Sequence, residues 1–584
     1  MTIRGTVLVL LAALALACRP SIGPAAEPTR YFKIQVVDDQ TGRGVPLVEL
    51  KTVNHVRYYT DSAGLVAFYE PGLMNQKVFF YVKSHGYEFP KDGFGFAGAA
   101  LDVKEAGSAQ LKVKRLNIAE RLYRVTGEGV YRDSVLLGEP VPLRQPVLSG
   151  KVFGQDSVQP AVYRGKIYWF WGDTNRPRYP LGHFGTAGAV SELPGRGGLD
   201  PAVGVDLAYF VDEEGFSRKM CPMTRNVPIM VWLDGILTVP GDKGEERLVA
   251  RYAQMKSLGE MLEQGLAVFN DRTETFEKAL EFDLKDRWRH LQGHPVRLKD
   301  GGEEYALFPM PYPVVRVRAD LKRVSDPAAY TAFTCLEPGA GYEKAASKIE
   351  RGPDGKAVWG WKPGTDPVGP AEEKQLLAAG KLAREDARFQ LADVDTGTRY
   401  DKASSKIERG PDGKAVWGWK PGTDPVGPAE EKQLLDAGKL AREDARFQLA
   451  DVDTGKAVAI HSGSFHWNAF RHQWVMIGVQ QGGTSFLGEV WFAEADAPVG
   501  PWRWAKKVVT HEQYSFYNPA HHPFFDQEGG RLIYFEGTYA ETFSGNPSPT
   551  PRYDYNQVMY RLDLADPRLK QPLEPPKARA APLN

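Results

Sequence analysis

From Phe32 the chain alternates apolar and polar positions. Phe32, Ile34 and Val36 are separated by Lys33 and Gln35, which is the two-residue period of a half-buried strand. The turn-prone runs Asp38-Asp39-Gln40-Thr41-Gly42 and Thr60-Asp61-Ser62-Ala63-Gly64 follow, and Val78 to Val82 is a run of β-formers. Residues 30–114 are expected to form a small β-sandwich.

After a connecting stretch near Glu120 to Leu148, a hairpin pattern recurs. Gln159 to Tyr163 leads through Arg164-Gly165 into Lys166-Ile167-Tyr168-Trp169-Phe170-Trp171, and His522-Pro523-Phe524-Phe525 leads through a Gly-rich turn into Arg531-Leu532-Ile533-Tyr534-Phe535. A third copy runs from His294-Pro295-Val296 into Tyr305-Ala306-Leu307-Phe308, and a looser one from Trp467-Asn468 into Trp474-Val475-Met476-Ile477. Leu248 to Phe282 reads as the outer part of a fifth unit. Radial repetition of small sheets is how propellers are built. The expected fold class is all-β: a five-bladed β-propeller over residues 120–566, preceded by the sandwich.

Within it, Tyr342 to Gly397 is repeated nearly unchanged as Tyr400 to Gly455. Old blades keep their pattern and lose their letters, so this reads as one insert present twice, at residues 340–455. Its Arg-Gly-Pro-Asp-Gly and Lys-Pro-Gly-Thr-Asp-Pro turns, with a helical stretch near Ala371 to Leu382, suit a surface excursion. Trp359, Trp361, Trp417 and Trp419 read as anchors of the insert, with sugar platforms as the alternative. Residues 567–584 are expected to be a disordered tail.

Composition narrows the picture. At 584 residues the chain exceeds what one core can serve, so two or more domains are expected. Lys plus Arg (73) balance Asp plus Glu (73), which gives no long-range field toward nucleic acid or an anionic membrane. Arg4 ahead of the apolar run Gly5 to Ala17, with Ala15-Leu16-Ala17 as a small-residue cleavage pattern, reads as a signal peptide over residues 1–26, and hence as export to the periplasm, cell surface or medium. Cys18 follows that pattern and resembles the acceptor cysteine of a bacterial lipoprotein. A lipid anchor there would be the chain's one tie to a membrane. Only Cys221 and Cys335 then remain to form a disulfide, so the core must hold itself together.

In a propeller the ligand site lies where the innermost strands enter, around the axis. Asp156 precedes the first inner strand and Asp173 follows its return strand, with room between them for two strands of mean length and a tight turn. Both are expected at one face. The same reasoning brings Asn518 and Glu536 there, with His294 and Asn468 heading their own inner strands, His521 beside them, and Glu489 opening a strand after a Gly-rich loop. Clustered carboxylates suit glycosidic-bond hydrolysis. One protonates the leaving oxygen while the other attacks the sugar or activates water, and aromatic faces such as Trp169, Trp171 and Phe184 hold the sugar ring. The plain reading of each Asp beside a turn is a cap on backbone amides.

The run Gln155-Asp156-Ser157, followed by Trp169-Phe170-Trp171-Gly172-Asp173-Thr174, resembles the first blade of secreted propeller glycosidases, particularly the bacterial D-arabinan hydrolases. That resemblance implies that an early Asp and the Asp of Gly-Asp-Thr frame the active site. Glu494-Ala495-Asp496-Ala497-Pro498-Val499-Gly500-Pro501-Trp502 resembles a blade ending of arabinanase and xylosidase propellers. Those propellers place a Glu acid on the third blade, where this chain has Gly293-His294-Pro295, so no acid carries over from them. Val37 to Pro46 with Tyr59 to Gly64 resembles the transthyretin-like carboxypeptidase-regulatory sandwich, which implies a spacer or docking module.

His294, His521 and His522 show no metal-ligand spacing and read as structural histidines. No cofactor is expected, and an axial Ca²⁺ or water is left open. The sequence carries no nucleophile elbow, phosphate-binding glycine loop or dinucleotide fingerprint. The expected function is a secreted glycoside hydrolase on a polysaccharide or oligosaccharide, with Asp156 as base or nucleophile, Asp173 as acid, and Glu536 or Glu489 as substitute acid. The alternatives are a non-catalytic carbohydrate-binding or adhesion lipoprotein and, third, a polysaccharide lyase. The expected partner is a carbohydrate, with no nucleic acid; oligomeric state is not encoded legibly.

Overall fold

The computed structural model describes residues 30–223, 230–309, 315–334, 336–383, 434–441, 449–456, 458–496, 504–542 and 554–570, with shorter pieces between. The expected signal peptide, Cys18 and Cys335 lie outside the described residues. The described chain is built of strands, with few and short helices. Among the described residues no helix is long and apolar enough to cross a membrane.

The first residues form two four-stranded sheets. One joins Leu65–Phe68, Phe32–Asp38, Ser108–Arg115 and Tyr87–Glu88; the other joins Arg57–Tyr59, Glu49–Thr52, Lys77–Lys83 and Gly98–Asp102. Alternation does the work here. Phe32, Ile34 and Val36 point into a core shared with Leu50, Val66, Phe80 and Val113, while Lys33 and Gln35 face outward.

Among the described residues five larger, mainly antiparallel sheets follow, beside a small three-stranded one of Gly154–Gln155, Thr174–Arg176 and Tyr179–His183. The first runs Val158–Tyr163, Lys166–Trp171, Ala187–Glu192 and Ala208–Tyr209, and its opening hairpin turns on Arg164 and Gly165, both at positive φ (48° and 76°). Two left-handed residues in succession match the twist of the flanking strands, and Gly165 takes that geometry without strain. The second sheet comprises Met230–Pro240, Glu246–Ser257, Glu260–Asn270 and Thr275–Phe282. The third comprises Val296–Asp300, Glu303–Phe308, Val315–Arg318 and Thr331–Thr334, and the fourth Ile460–Asn468, Gln473–Gln480, Val490–Ala495 and Trp504–Val509. The fifth comprises Ser515–His521, Leu532–Ala540 and Asn556–Asp563, and is completed by Glu120–Arg124 from the other end of the chain.

Each sheet shares one core with the next. Tyr163 and Phe170 of the first meet Leu248 and Tyr252 of the second; Leu237 and Val249 of the second meet Phe308 and Val317 of the third. Val296 and Leu307 of the third meet Phe465 and Trp474 of the fourth, and Val475 and Phe492 of the fourth meet Ile533 and Tyr560 of the fifth. Tyr534 and Met559 of the fifth then meet Ile167 and Trp169 of the first. The chain of contacts returns to its start.

Two expectations change. His522-Pro523-Phe524-Phe525 is not a strand: the inner strand of the fifth sheet lies earlier, at Ser515–His521, and Pro523–Phe525 is a 3-10 turn, because Pro523 has no N–H to give a ladder. The tail begins later than residue 567, because Pro567–Leu569 is a 3-10 turn whose Leu569 is wholly buried in the core between the fourth and fifth sheets. Cys221 is a buried free thiol, and burial pushes it up to about 12.

In the duplicated segment, the helix Pro370–Ala378 bears out the helical stretch. Gly360–Pro363 adds a fifth strand to the third sheet, and Trp361 stacks on Arg316, 4.4 Å from ring centre to guanidinium. Both copies build the same small core. Leu376, Leu382 and Ile349 cluster in the first, and Leu434, Leu440 and Ile407 in the second. Each also pairs an arginine with a buried aspartate, Arg351 with Asp386 and Arg409 with Asp444. Trp359 donates to the Asp386 carbonyl, which is an anchoring contact. Trp419 lies outside the described residues.

Candidate active site

The register of the first hairpin pairs Val158 with Trp171, and the pairing resumes with Gln155 opposite Thr174. Between them, Asp156 stands opposite Asp173, and the Asp156 N–H donates to the Asp173 carbonyl at 3.0 Å. Directly opposed residues of an antiparallel pair have Cβ atoms about 4.5–5.5 Å apart and share one face. Gly172 leaves room for this. A Cβ at residue 172 would lie 3.1 Å from that of Asp156.

The two carboxylates have different surroundings. Asp156 Oδ1 accepts from the Ser157 N–H at 2.6 Å and from its hydroxyl at 2.8 Å, and the phenols of Tyr517 and Tyr555 also bond to the side chain. Asp173 Oδ1 accepts from the Trp232 indole N–H at 2.8 Å and the Gly185 N–H at 3.1 Å. Burial raises the Asp173 pKa above its ordinary value; the Trp232 bond opposes that rise and the nearby Asp156 charge adds to it. Lys219 stands near Asp173, and burial lowers its pKa. Phe184, beside Gly185, is 41 % exposed.

Several expected residues lie elsewhere in function. Trp169 and Trp171 are wholly buried, with rings stacked 6.4 Å apart, and cannot carry a sugar. Their strand is covered on both faces, because each sheet has a neighbour on either side. Trp169 Nε1 donates to Ser191. Glu536 is also wholly buried, with Oε1 2.9 Å from His522 Nε2, so it cannot reach a substrate. Glu489 is buried too, and accepts from the Thr484 N–H at 3.0 Å and from the Thr484 and Thr510 hydroxyls. It clamps the Gly-rich loop ahead of it. Asn468 ends its inner strand instead of heading it; its side chain accepts from the Arg471 N–H of the hairpin turn and donates to the Gly530 carbonyl of the fifth sheet's turn.

Asn518 is tied to Ser157, the residue after Asp156. Its Nδ2 donates to the Ser157 hydroxyl at 2.5 Å, and its Oδ1 accepts from Ser462 at 3.1 Å. His294 and His521 fall in a histidine cluster with His466 and His522. His521 Nε2 lies 2.8 Å from Asp526 Oδ1, and the His466 ring meets it edge-on at 5.0 Å. Burial, with His522 nearby, lowers His294 to about 4, and burial holds His466 well below the usual range. Among the described residues no group of three or more His, Cys, Asp or Glu side chains could hold a metal ion.

Sequence reasoning missed Tyr517, Tyr555, Trp232, Ser462 and Asp234. Asp234 accepts from Gln159 Nε2 at 2.9 Å and the Gly293 N–H at 3.0 Å, and burial raises its pKa against the pull of Arg251. Trp232 and Asp234 sit on the inner strand of the second sheet, at alternate positions that a period-two reading of that segment would have placed on one face.

No protein-family model matches the chain, and no curated protein does. Among solved structures, the chain is similar to an exo-β-1,3-galactanase of Phanerochaete chrysosporium bound to galactose, at 7 % identity over 76 % of this chain and 65 % of that one, with a TM-score of 0.32. It is also similar to a mutant α-L-arabinofuranosidase of Fusarium graminearum in complex with an iminosugar inhibitor, at 12 % identity, 76 % and 98 % coverage and a TM-score of 0.31. The third is a Penicillium chrysogenum α-L-arabinanase with arabinobiose, at 12 % identity, 76 % and 99 % coverage and a TM-score of 0.30. Likenesses at this level decide neither fold nor activity.

Proposed function

We propose that the five sheets form a five-bladed β-propeller and that the chain is a secreted glycoside hydrolase acting on a polysaccharide or oligosaccharide through Asp156 and Asp173. The observation that carries this reading is the opposed pair itself. Asp156 and Asp173 stand opposite each other beside one hairpin, joined by the bond from the Asp156 N–H to the Asp173 carbonyl, and a neighbouring pair of carboxylates is what hydrolysis of a glycosidic bond uses. Environments that differ between two such groups separate their roles. Asp173, raised by burial, suits the acid that protonates the leaving oxygen. Asp156, facing donors from Ser157, Tyr517 and Tyr555, suits the base or nucleophile. Phe184 remains the sugar platform, and Asn518 a binding residue.

A second reading has its own support. Each carboxylate accepts one backbone N–H, Asp156 from Ser157 and Asp173 from Gly185, as expected of a pair that binds carbohydrate without cleaving it. In that reading the chain is a surface lipoprotein anchored at Cys18, with the N-terminal sandwich as a transthyretin-like docking module.

The deciding experiment screens the purified protein against plant, algal and bacterial polysaccharides, reading new reducing ends and ultraviolet absorbance, with Asp156→Asn alongside. The expected result is reducing ends that disappear in the variant. Retention on a glycan column without turnover would support the binding protein instead, and unsaturated products a lyase.

A further inference from the structure

Asp156 lies just ahead of the first sheet, between Gly154–Gln155 and Val158–Tyr163, but the groups that hold it come mostly from the fifth. On one flank, the Gln155 N–H donates to the Tyr555 carbonyl at 2.7 Å, and Gln557 Nε2 donates to the Gln155 carbonyl at 2.9 Å. On the other flank, Asn518 Nδ2 donates to the Ser157 hydroxyl at 2.5 Å. Both neighbours of Asp156 are thus tied across the sheet boundary, and the Tyr517 and Tyr555 phenols bond to its side chain.

Two of these ties run through left-handed backbone, with φ of 50° at Asn518 and 60° at Tyr555. Asparagine tolerates that region; for an aromatic residue it is strained and persists only where the surroundings over-determine it. Here they do. Gly154 passes so close that a Cβ there would lie 2.5 Å from the Tyr555 carbonyl oxygen, and Tyr555 packs on Val479, Leu487, Tyr517 and Ala540. The strained turn points its phenol at Asp156 while its carbonyl holds the preceding residue.

We propose that Tyr555 is a positioning residue for Asp156, assisted by Tyr517 and Asn518, so that the fifth sheet fixes the direction of the carboxylate while the second sheet, through Trp232, holds Asp173. Its catalytic meaning rests on the hydrolase reading, but its geometry does not. A carboxylate that must meet a sugar carbon or a water along one line gains from such fixing, because a misplacement of about 1 Å can cost about 100-fold in rate.

The test uses the full chain with tyrosine labelled by carbon-13 at Cζ, Tyr555→Phe and Tyr517→Phe identifying the two resonances by subtraction. Asp156→Asn is expected to displace both resonances at neutral pH, and Asp173→Asn to displace them several-fold less, with both variants melting cooperatively as folded proteins. Resonances unmoved by Asp156→Asn, or moved equally by Asp173→Asn, would overturn the proposal. If Tyr555→Phe does not fold, the Tyr517 resonance carries the same comparison. Displacement without any turnover on the polysaccharide panel would count against the hydrolase reading and leave the clamp standing.

Discussion

Asp156 and Asp173 oppose each other across one strand pair, yet they are bound from opposite sides. Trp232 of the second sheet reaches Asp173 at 2.8 Å, while Tyr517 and Tyr555 of the fifth bond to Asp156. The placement of the two side chains is therefore set by three sheets together.

Removing the Trp232 donor should change the acid and spare the fold. The indole bond opposes the burial that raises Asp173, so Trp232→Phe should raise the Asp173 pKa further. The basic limb of the activity profile, which reports the essential acid, is expected to move to higher pH. Profiles of kcat/KM against pH for parent and variant check it; a limb that stays in place removes Asp173 from the acid role.

Asp173 should also tax stability. Its folded-state pKa lies above the ordinary 3.8, so the native state binds its proton more tightly than the unfolded chain does, and stability declines as pH rises through that window. Asp173→Asn is expected to leave the melting temperature unchanged near pH 3 and to raise it near pH 7. Thermal melts at the two values measure this.

Histidine works in the opposite direction. Burial lowers His511 to about 3, while its ring bonds the Gly488 carbonyl and the Tyr560 hydroxyl. The unfolded chain takes up a proton near pH 6.5 and the native state does not, so stability is present above that value and is lost as pH falls toward 3. The loss amounts to about 1.4 kcal/mol per pH unit for each histidine held neutral. Urea unfolding between pH 7 and 4 should show a slope that His511→Gln reduces by about one proton.

Glu536 and Glu489 should prove structural. Loss of a buried hydrogen-bond partner such as that between Glu536 and His522 costs about 1–3 kcal/mol, so Glu536→Ala should lower the urea midpoint. Glu489→Gln should open the loop at residues 481–488 to limited proteolysis. Glycan binding by either folded variant should match the parent.

Phe184 and Trp169 separate platform from core. Phe184→Ala is expected to weaken glycan retention with the melting temperature unchanged. Trp169→Ala should cost about 3–5 kcal/mol of stability, as large-to-small changes at buried aromatics do. Affinity columns and melts on both variants decide it.

The sequence showed the Asp156–Asp173 pair because hairpin register is local: two strands and a two-residue turn are enough to place one opposite the other. The third-sheet hairpin turned at Gly301 and Gly302 for the same reason, with Asp300 opposite Glu303. What stayed hidden depends on neighbours distant in sequence. Trp169 and Trp171 look like platforms in a strand with one wet face, but the fifth sheet covers that face. Tyr555 carries no motif, and only the approach of Gly154, on the short strand ahead of the first sheet, gives it a role. His466 escaped notice because its partners, His521 and His294, lie on other sheets. Asn468 was placed at the wrong end of its strand because the Trp467-Asn468 pair precedes a turn, and a turn opens one strand while closing another.

The strand Glu120–Arg124 has a consequence in time. It completes the fifth sheet, and its Glu120 pairs with Arg561, 441 positions away. During synthesis this segment emerges early and must wait for nearly the whole chain before its edge can pair. Loop closure over such a length adds only a logarithmic entropic cost, but contacts so distant in sequence form slowly. The sheets can assemble in chain order, each on its predecessor, whereas the last step joins the two ends of the series. Until then the Asn556–Asp563 edge of the fifth sheet stands open to other chains, and the yield of native protein depends on how quickly that final strand is captured.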